Sequence, residues 1–254
     1  MKELLQIAVR AAFDAGNAIL KHYDNYDLKY KTDNSPLTSA DLAANEAIFT
    51  NLIKTQIPIC SEEQILSNDD ISTFWLVDPM DGTKEFIKKN GQFCVCIALI
   101  QNAKPTLGVI FIPLKNEIFF TLNGQIYKND ILLNTSNLGD KTIICSNQTT
   151  SSGKTAKFAT KFGLNLNKCG SAIKFCHLVS GNASVYLRLS GSNIWDIAAG
   201  DCLLRNSGGA VICLKTKKPF EYSLKNLKNN HFIALNSHQI SNLPKYLDYL
   251  DQKA

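Results

Sequence analysis

No stretch of this chain approaches the roughly 20 consecutive apolar residues that a membrane-spanning helix requires, and no charged-then-apolar signal segment opens it. Low-complexity tracts and internal repeats are absent as well, which sets aside disordered and solenoid architectures. The eight cysteines include no Cys-x-x-Cys pair, which argues against a zinc site of the usual spacing. Most of them sit inside apolar runs, as small core residues do. Without an export signal, this predicts reduced thiols in the cytoplasm. The lysines are scattered and lack interleaved aromatics, so the net charge of +5 predicts no nucleic-acid partner and only a weak preference for anionic small molecules. What remains is a globular composition, 45% apolar and 19% charged over 254 residues, enough for one large domain or two small ones with a substantial core.

The chemistry concentrates at 74–86, Phe-Trp-Leu-Val-Asp-Pro-Met-Asp-Gly-Thr-Lys-Glu-Phe. The apolar run Phe74–Val77 reads as a buried strand that stops at Asp78, because Pro79 has no N–H for a ladder. Asp78 and Asp81 then flank the proline, and Gly82 and Thr83 lead into a helix start. Paired carboxylates are hard ligands suited to Mg²⁺, and Gly82 lets backbone amides approach a phosphoryl oxygen. Taken alone, the same residues read equally well as a turn.

Upstream, residues 3–23 have helical apolar spacing, with alanines suited to close packing. A polar loop, Lys29–Ser35, precedes a helix from Thr38 or Ser39 that is expected to bury Leu42, Ala43, Ile48, Phe49, Leu52 and Ile53. Asp41 in its first turn alone reads as an acid complementing the helix dipole, and Glu62-Glu63 alone as a solvated loop. Residues 93–100, 106–113 and 117–122 read as an antiparallel meander. From Lys141 onward strands and helices alternate, which predicts an α/β half on a largely parallel or mixed sheet, ending in a helix at 239–250. The expected division is 1–135, an α+β half carrying the acids, and 136–254, an α/β half, with a site in the cleft between them. In the second half Gly170-Ser171-Ala172 opens a helix, a natural phosphate seat, with Lys174 one turn along. Arg188 near a strand end reads as a surface cation or a bidentate phosphate contact, and Asp196 behind Trp195 as a helix N-cap.

Together these motifs resemble the magnesium-dependent, lithium-sensitive phosphatases of the inositol monophosphatase superfamily. The match is carried by Ser35-Pro36-Leu37-Thr38-x-x-Asp41, Glu62-Glu63, Asp78-Pro79-Met80-Asp81-Gly82-Thr83 and Trp195-Asp196-x-Ala198-Ala199-Gly200. Lys84-Glu85-Phe86-Ile87, Gly170-Ser171-x-x-Lys174-Phe175-Cys176 and Tyr186–Leu189 are similar to the 3'(2'),5'-bisphosphate nucleotidases among them. The resemblance spans nearly the whole chain. It implies a layered αβαβα sandwich of the inositol monophosphatase and fructose-1,6-bisphosphatase type.

For the site, the resemblance implies a first Mg²⁺ on Glu62, Asp78 and the Met80 carbonyl, and a second on Asp78, Asp81 and Asp196. A third, weakly held ion shares Glu62. Asp41 and Thr83 orient the attacking water, and Gly82, Thr83, Ser171, Lys174, Arg188 and Asp196 face the substrate. The implied reaction is hydrolysis of adenosine 3',5'-bisphosphate to 5'-AMP, with 3'-phosphoadenylyl sulfate as a further substrate, a role in sulfur assimilation, and a monomer or homodimer in the cytoplasm or peripheral at the inner membrane. The chain departs from that pattern at Asn147 and Gln148, where a histidine is usual, and at Ile194, where a glutamate is common. Inositol monophosphate and fructose 1,6-bisphosphate are the alternative substrates, and a catalytically silent nucleotide- or metal-binding protein is the reading from another class.

Overall fold

A computed structural model describes residues 1–67, 70–134 and 141–252. The expected division at 135/136 falls outside those residues. The chain begins with α1 (Lys2–Lys21), a short hairpin of β1 (Leu28–Tyr30) and β2 (Pro36–Thr38), and α2 (Ser39–Leu52). Next come β3 (Ile59–Ser61), β4 (Thr73–Asp81), the single-turn α3 (Thr83–Ile87), β5 (Cys94–Gln101), β6 (Lys104–Ile112), β7 (Glu117–Leu122), β8 (Gln125–Lys128) and β9 (Ile131–Leu132). Strands β3 to β9 lie side by side in chain order; only β3 is parallel to its neighbour.

The remainder alternates: β10 (Thr142–Cys145), α4 (Lys154–Phe162), β11 (Asn165–Lys168), α5 (Ile173–Val179), β12 (Val185–Arg188), β13 (Ser192–Asn193), α6 (Trp195–Asn206), β14 (Ala210–Cys213), β15 (Lys228–Asn229), β16 (Phe232–Leu235) and α7 (Leu243–Asp251). Its main sheet has the order β11-β10-β12-β16-β14; β10 runs parallel to both neighbours and β16 antiparallel to both of its own. That is a mixed sheet.

The period-two alternation of side chains explains the layering. One face of the seven-stranded sheet, with Trp75, Val77, Ile97, Leu99 and Val109, packs on α1 and α2. Its other face, with Phe74, Leu76, Ala98 and Ile110, meets α5 and α6, whose far side lies against Tyr186, Phe232 and Ala234 of the five-stranded sheet. The outer face of that second sheet, with Ile143, Val185 and Ile233, is covered by α4 and α7. The five layers run α, β, α, β, α. All eight cysteines are free and buried, and among the described residues no helix is long and apolar enough to cross a membrane.

Four local expectations are corrected. Strand β4 does not stop at Asp78 but continues through Pro79 to Asp81, because the ladder to β5 slips between Asp78 and Asp81; a bulge tolerates the missing proline N–H. The stretch expected as a polar loop, 29–35, holds the end of β1 and the turn of the β1–β2 hairpin. Helix α2 buries Ala40, Asp41, Ala44, Ile48, Asn51 and Leu52, while Leu42 and Ile53 face solvent, so the acid in its first turn points inward. The last helix starts at Leu243, after a 3₁₀ segment over Ser237–Asn242.

Candidate active site

The bulge in β4 sets the geometry. Asp78 pairs across the ladder with Cys96 and Asp81 with Cys94, so two acids on one short stretch turn toward the end of the sheet. Asp78 is fully buried and its Oδ1 accepts the Met80 N–H at 3.1 Å. Gly82 follows at φ 104°, a left-handed conformation open to glycine, and a Cβ there would sit 2.8 Å from the Gln92 carbonyl oxygen. The turn thereby delivers Thr83 to the head of α3. Its Oγ1 donates to Asp41 Oδ1 at 3.0 Å, and Asp41 Oδ2 accepts both the N–H and the hydroxyl of Thr38 at 2.7 Å. The N-terminal capping acid of α2 is thus also the partner of a threonine 42 residues away.

Glu62 follows β3, with its N–H bonded to the Val77 carbonyl. Asp196 comes from the first turn of α6; it is the second helical residue rather than the N-cap, and its Oδ2 accepts the Asn193 N–H at 2.9 Å. Asp81 Oδ2 accepts the Ala172 N–H at 2.6 Å. Glu62 Oε1 accepts from Lys31 Nζ at 2.8 Å, and the same ammonium reaches Glu63 Oε1 at 2.7 Å.

The four acids act on one another. Burial first, and then the charges of Glu62, Asp81 and Asp196, drive the Asp78 carboxyl well above its ordinary range. Burial and Asp81 push Asp196 up to about 8. Burial takes Asp81 to about 6 even though Lys174, the Ala172 N–H and Arg188 pull it back. Asp41 is also raised by burial, against the pull of its Thr38 and Thr83 bonds. Segments ending near residues 62, 81 and 196 therefore meet in one place.

The donor set fits Mg²⁺. Each of the four acids commits one oxygen to a protein donor that fixes its orientation: Lys31 for Glu62, Met80 N–H for Asp78, Ala172 N–H for Asp81 and Asn193 N–H for Asp196. The second oxygen of each accepts no hydrogen bond among the described residues, which leaves hard ligands whose mutual repulsion a divalent cation relieves.

Beside the acids lies a cleft of about 330 Å³ lined by Asp81, Gly82, Ser171, Lys174, Arg188 and Asp196. The Arg188 guanidinium is held at its rim, Nε donating to the Ser190 carbonyl at 3.3 Å and a terminal nitrogen to the Gly191 carbonyl at 2.8 Å. Ser171 adopts φ 48° and its Oγ accepts the Ile173 N–H. Lys174 lines the cleft and is also a brace. It is buried, and its ammonium donates to the carbonyls of Cys169 and Ser171 and lies 5.1 Å from the Tyr186 ring centre, so it braces the 169–171 loop. A larger cavity of about 570 Å³, near Lys157, Leu214 and Tyr249, contains none of the acids.

Sequence reasoning missed Lys31, which sits in what read as a polar loop, and the amide network at Gln92. Gln92 Oε1 accepts from Asn147 Nδ2 and from the Gly170 N–H, both at 2.7 Å, and Asn147 also reaches Glu85. The motif in 84–87 signalled Glu85, but nothing local in sequence marked Gln92.

A five-layer αβαβα sandwich with acids gathered at the end of β4 and the start of α6 defines a class, and the inositol monophosphatase family model matches residues 1–247. The chain belongs to that family. Among individual relatives it is 34% identical over 233 residues to the 3'(2'),5'-bisphosphate nucleotidase CysQ of Escherichia coli K12, covering 87% of this chain and 94% of the relative. It is 32% identical over 229 residues to the Nus factor SuhB of Pasteurella multocida, covering 83% and 85%. The solved structure of CysQ from Bacteroides thetaiotaomicron superposes with a TM-score of 0.79 at 33% identity, over 92% of this chain and 97% of that one.

Proposed function

We propose that this chain is a Mg²⁺-dependent phosphomonoesterase that removes the 3'-phosphate of adenosine 3',5'-bisphosphate, releasing 5'-AMP and phosphate, and that it accepts 3'-phosphoadenylyl sulfate in the same cleft. The observation that carries the reading is the convergence of Glu62, Asp78, Asp81 and Asp196, each with one oxygen tied and one free, next to the Thr83–Asp41 pair. The bisphosphate nucleotidase relatives support the substrate class.

Glu62, Asp78, the Met80 carbonyl, Asp81 and Asp196 would hold two magnesium ions, with a third shared at Glu62. Bound there, magnesium supplies Lewis acidity toward the phosphoryl oxygens, acidifies a water and offsets the charge of the leaving oxygen. The protein's own part is orientation and proton handling. Because the Thr83 hydroxyl donates to Asp41 Oδ1, its lone pairs are left to accept a proton from a water in the cleft, turning that water's lone pair toward phosphorus. Asp41 takes the proton at Oδ1 through Thr83, its Oδ2 being occupied by Thr38. Gly82, Thr83, Ser171, Lys174, Arg188 and Asp196 receive the substrate, Arg188 and Lys174 facing the phosphate that is not cleaved.

Phosphate release should be measured across adenosine bisphosphates, inositol monophosphates and fructose 1,6-bisphosphate while Mg²⁺ is titrated. The expected result is turnover that depends on Mg²⁺, is highest for the 3',5'-bisphosphate and is inhibited by millimolar Li⁺. Preference for an inositol phosphate would overturn the substrate assignment, and no release from any ester would overturn the enzyme. Arg188→Ala should raise KM for the bisphosphate about tenfold or more, with a much smaller effect on a monophosphate.

A further inference from the structure

Cysteine spacing in the sequence points away from zinc, yet the sheet assembles what the spacing does not announce. Cys94 and Cys96 are two residues apart on β5, so both thiols project from the same face. Their sulfurs are 3.8 Å apart. The bulge at Pro79–Met80 slides Asp81 into register opposite Cys94, and one Asp81 carboxylate oxygen and both sulfurs lie within 4.8 Å of one another. Ser171 Oγ is 3.5 Å from Cys94 Sγ, on the side open to the cleft.

Zinc–thiolate bonds of about 2.3 Å at a tetrahedral angle place two sulfurs about 3.8 Å apart. The two thiols already stand at that separation, with a carboxylate beside them and the Ser171 hydroxyl 3.5 Å from one of them.

We propose that Asp81, Cys94 and Cys96 form a site for a thiophilic divalent cation of the zinc and cadmium class, distinct in chemistry from the all-oxygen cage beside it. Mg²⁺ has little affinity for thiolate, so the pair discriminates by ligand softness. Both cysteines are fully buried, whereas Asp81 and Ser171 line the cleft, so the ion enters past the carboxylate. Binding releases the two thiol protons to solvent through the same opening. The resulting excess negative charge is met by Lys174 and Arg188, whose fields reach Asp81. A filled thiol site draws Asp81 away from the magnesium cage and inhibits turnover. This last step rests on the proposed catalytic role of Asp81; the binding does not.

The test is a titration of the full chain, stripped of metal and without Mg²⁺, with Cd²⁺ alone, following the thiolate-to-cadmium charge-transfer band in the ultraviolet. One equivalent should saturate the band. The double variant Cys94→Ser, Cys96→Ser, with its fold verified by circular dichroism, should lose it, and Cys60→Ser, Cys176→Ser should keep it. No band in the wild type, or a band that survives in the first double variant, overturns the site. In a second arm, the Zn²⁺ concentration that halves phosphate release at fixed Mg²⁺ should rise about tenfold or more in Cys96→Ser. Cadmium binding without zinc inhibition would overturn the sharing of Asp81 while leaving the thiol site standing. A chain inactive on every ester but showing the band would separate failure of the proposed enzyme from success of this site.

Discussion

Thr83 has one proton to donate and gives it to Asp41, which fixes the direction of its lone pairs. Valine has the same shape without the hydroxyl, so Thr83→Val should lower kcat about 100-fold with KM little changed, and Thr83→Ser should restore most of the loss. Steady-state kinetics on the bisphosphate measures both. At this scale the sequence was informative where residue types were chemically specific. Two acids around a proline, a pair of glutamates and a Trp-Asp at a helix start each read as turn, loop or cap alone, and point to a site only in combination. What was not legible were side chains whose significance comes only from who they meet. Lys31 looks like any lysine in a polar loop until the fold lays it across Glu62 and Glu63. Burial opposes its charge, but those two carboxylates raise its pKa, so it remains an ammonium. Gln92 and Asn147 are ordinary amides until they join α3, the loop after β10 and the loop before α5.

The element on which the most depends is α6. It lies between the two main sheets, carries Asp196 in its first turn, and packs through small residues. A Cβ added at Gly200 would fall 2.2 Å from the Phe175 ring of α5. Gly200→Ala should therefore destabilise the protein by about 1–3 kcal/mol, read from urea unfolding, and lower Mg²⁺-supported turnover by displacing Asp196. The alternation of strand and helix after Lys141 forecast the mixed sheet. Element boundaries were less legible where a tertiary contact overrides local pattern. Pro79 reads as a strand stop but sits in a bulge that a neighbouring strand accommodates. The apolar face of α2 reads through Leu42, whereas its helical phase is set by turning Asp41 and Asn51 inward.

At the scale of the whole molecule, gathering the acids has a cost that depends on pH. The folded chain holds protons on Asp81 and Asp196 up to about 6 and about 8, whereas the unfolded chain releases them near the ordinary value of 3.8. Between those limits the native state binds more protons than the unfolded state, so stability must fall as pH rises. Melting temperatures of the metal-free protein should accordingly decrease from about pH 5 to about pH 8, while saturating Mg²⁺ should flatten or reverse the trend by binding the ionised acids. A metal-free melting temperature that climbs over that interval would contradict the convergence of the four carboxylates. The layered architecture was legible as a class through the family resemblance that the order of the motifs carries. The meeting of its distant segments is a property of the fold alone.

Asp196 enters the cage from a helix that follows both the bulged strand and most of the second sheet in chain order. During synthesis, a ribosome will have exported Glu62, Asp78 and Asp81 well before their last companion is made. A nascent chain arrested short of α6 should thus be fully exposed to magnesium and still fail to retain it. Arrested chains of increasing length, probed for protease resistance with and without the ion, should gain protection from it only once α6 has cleared the exit tunnel.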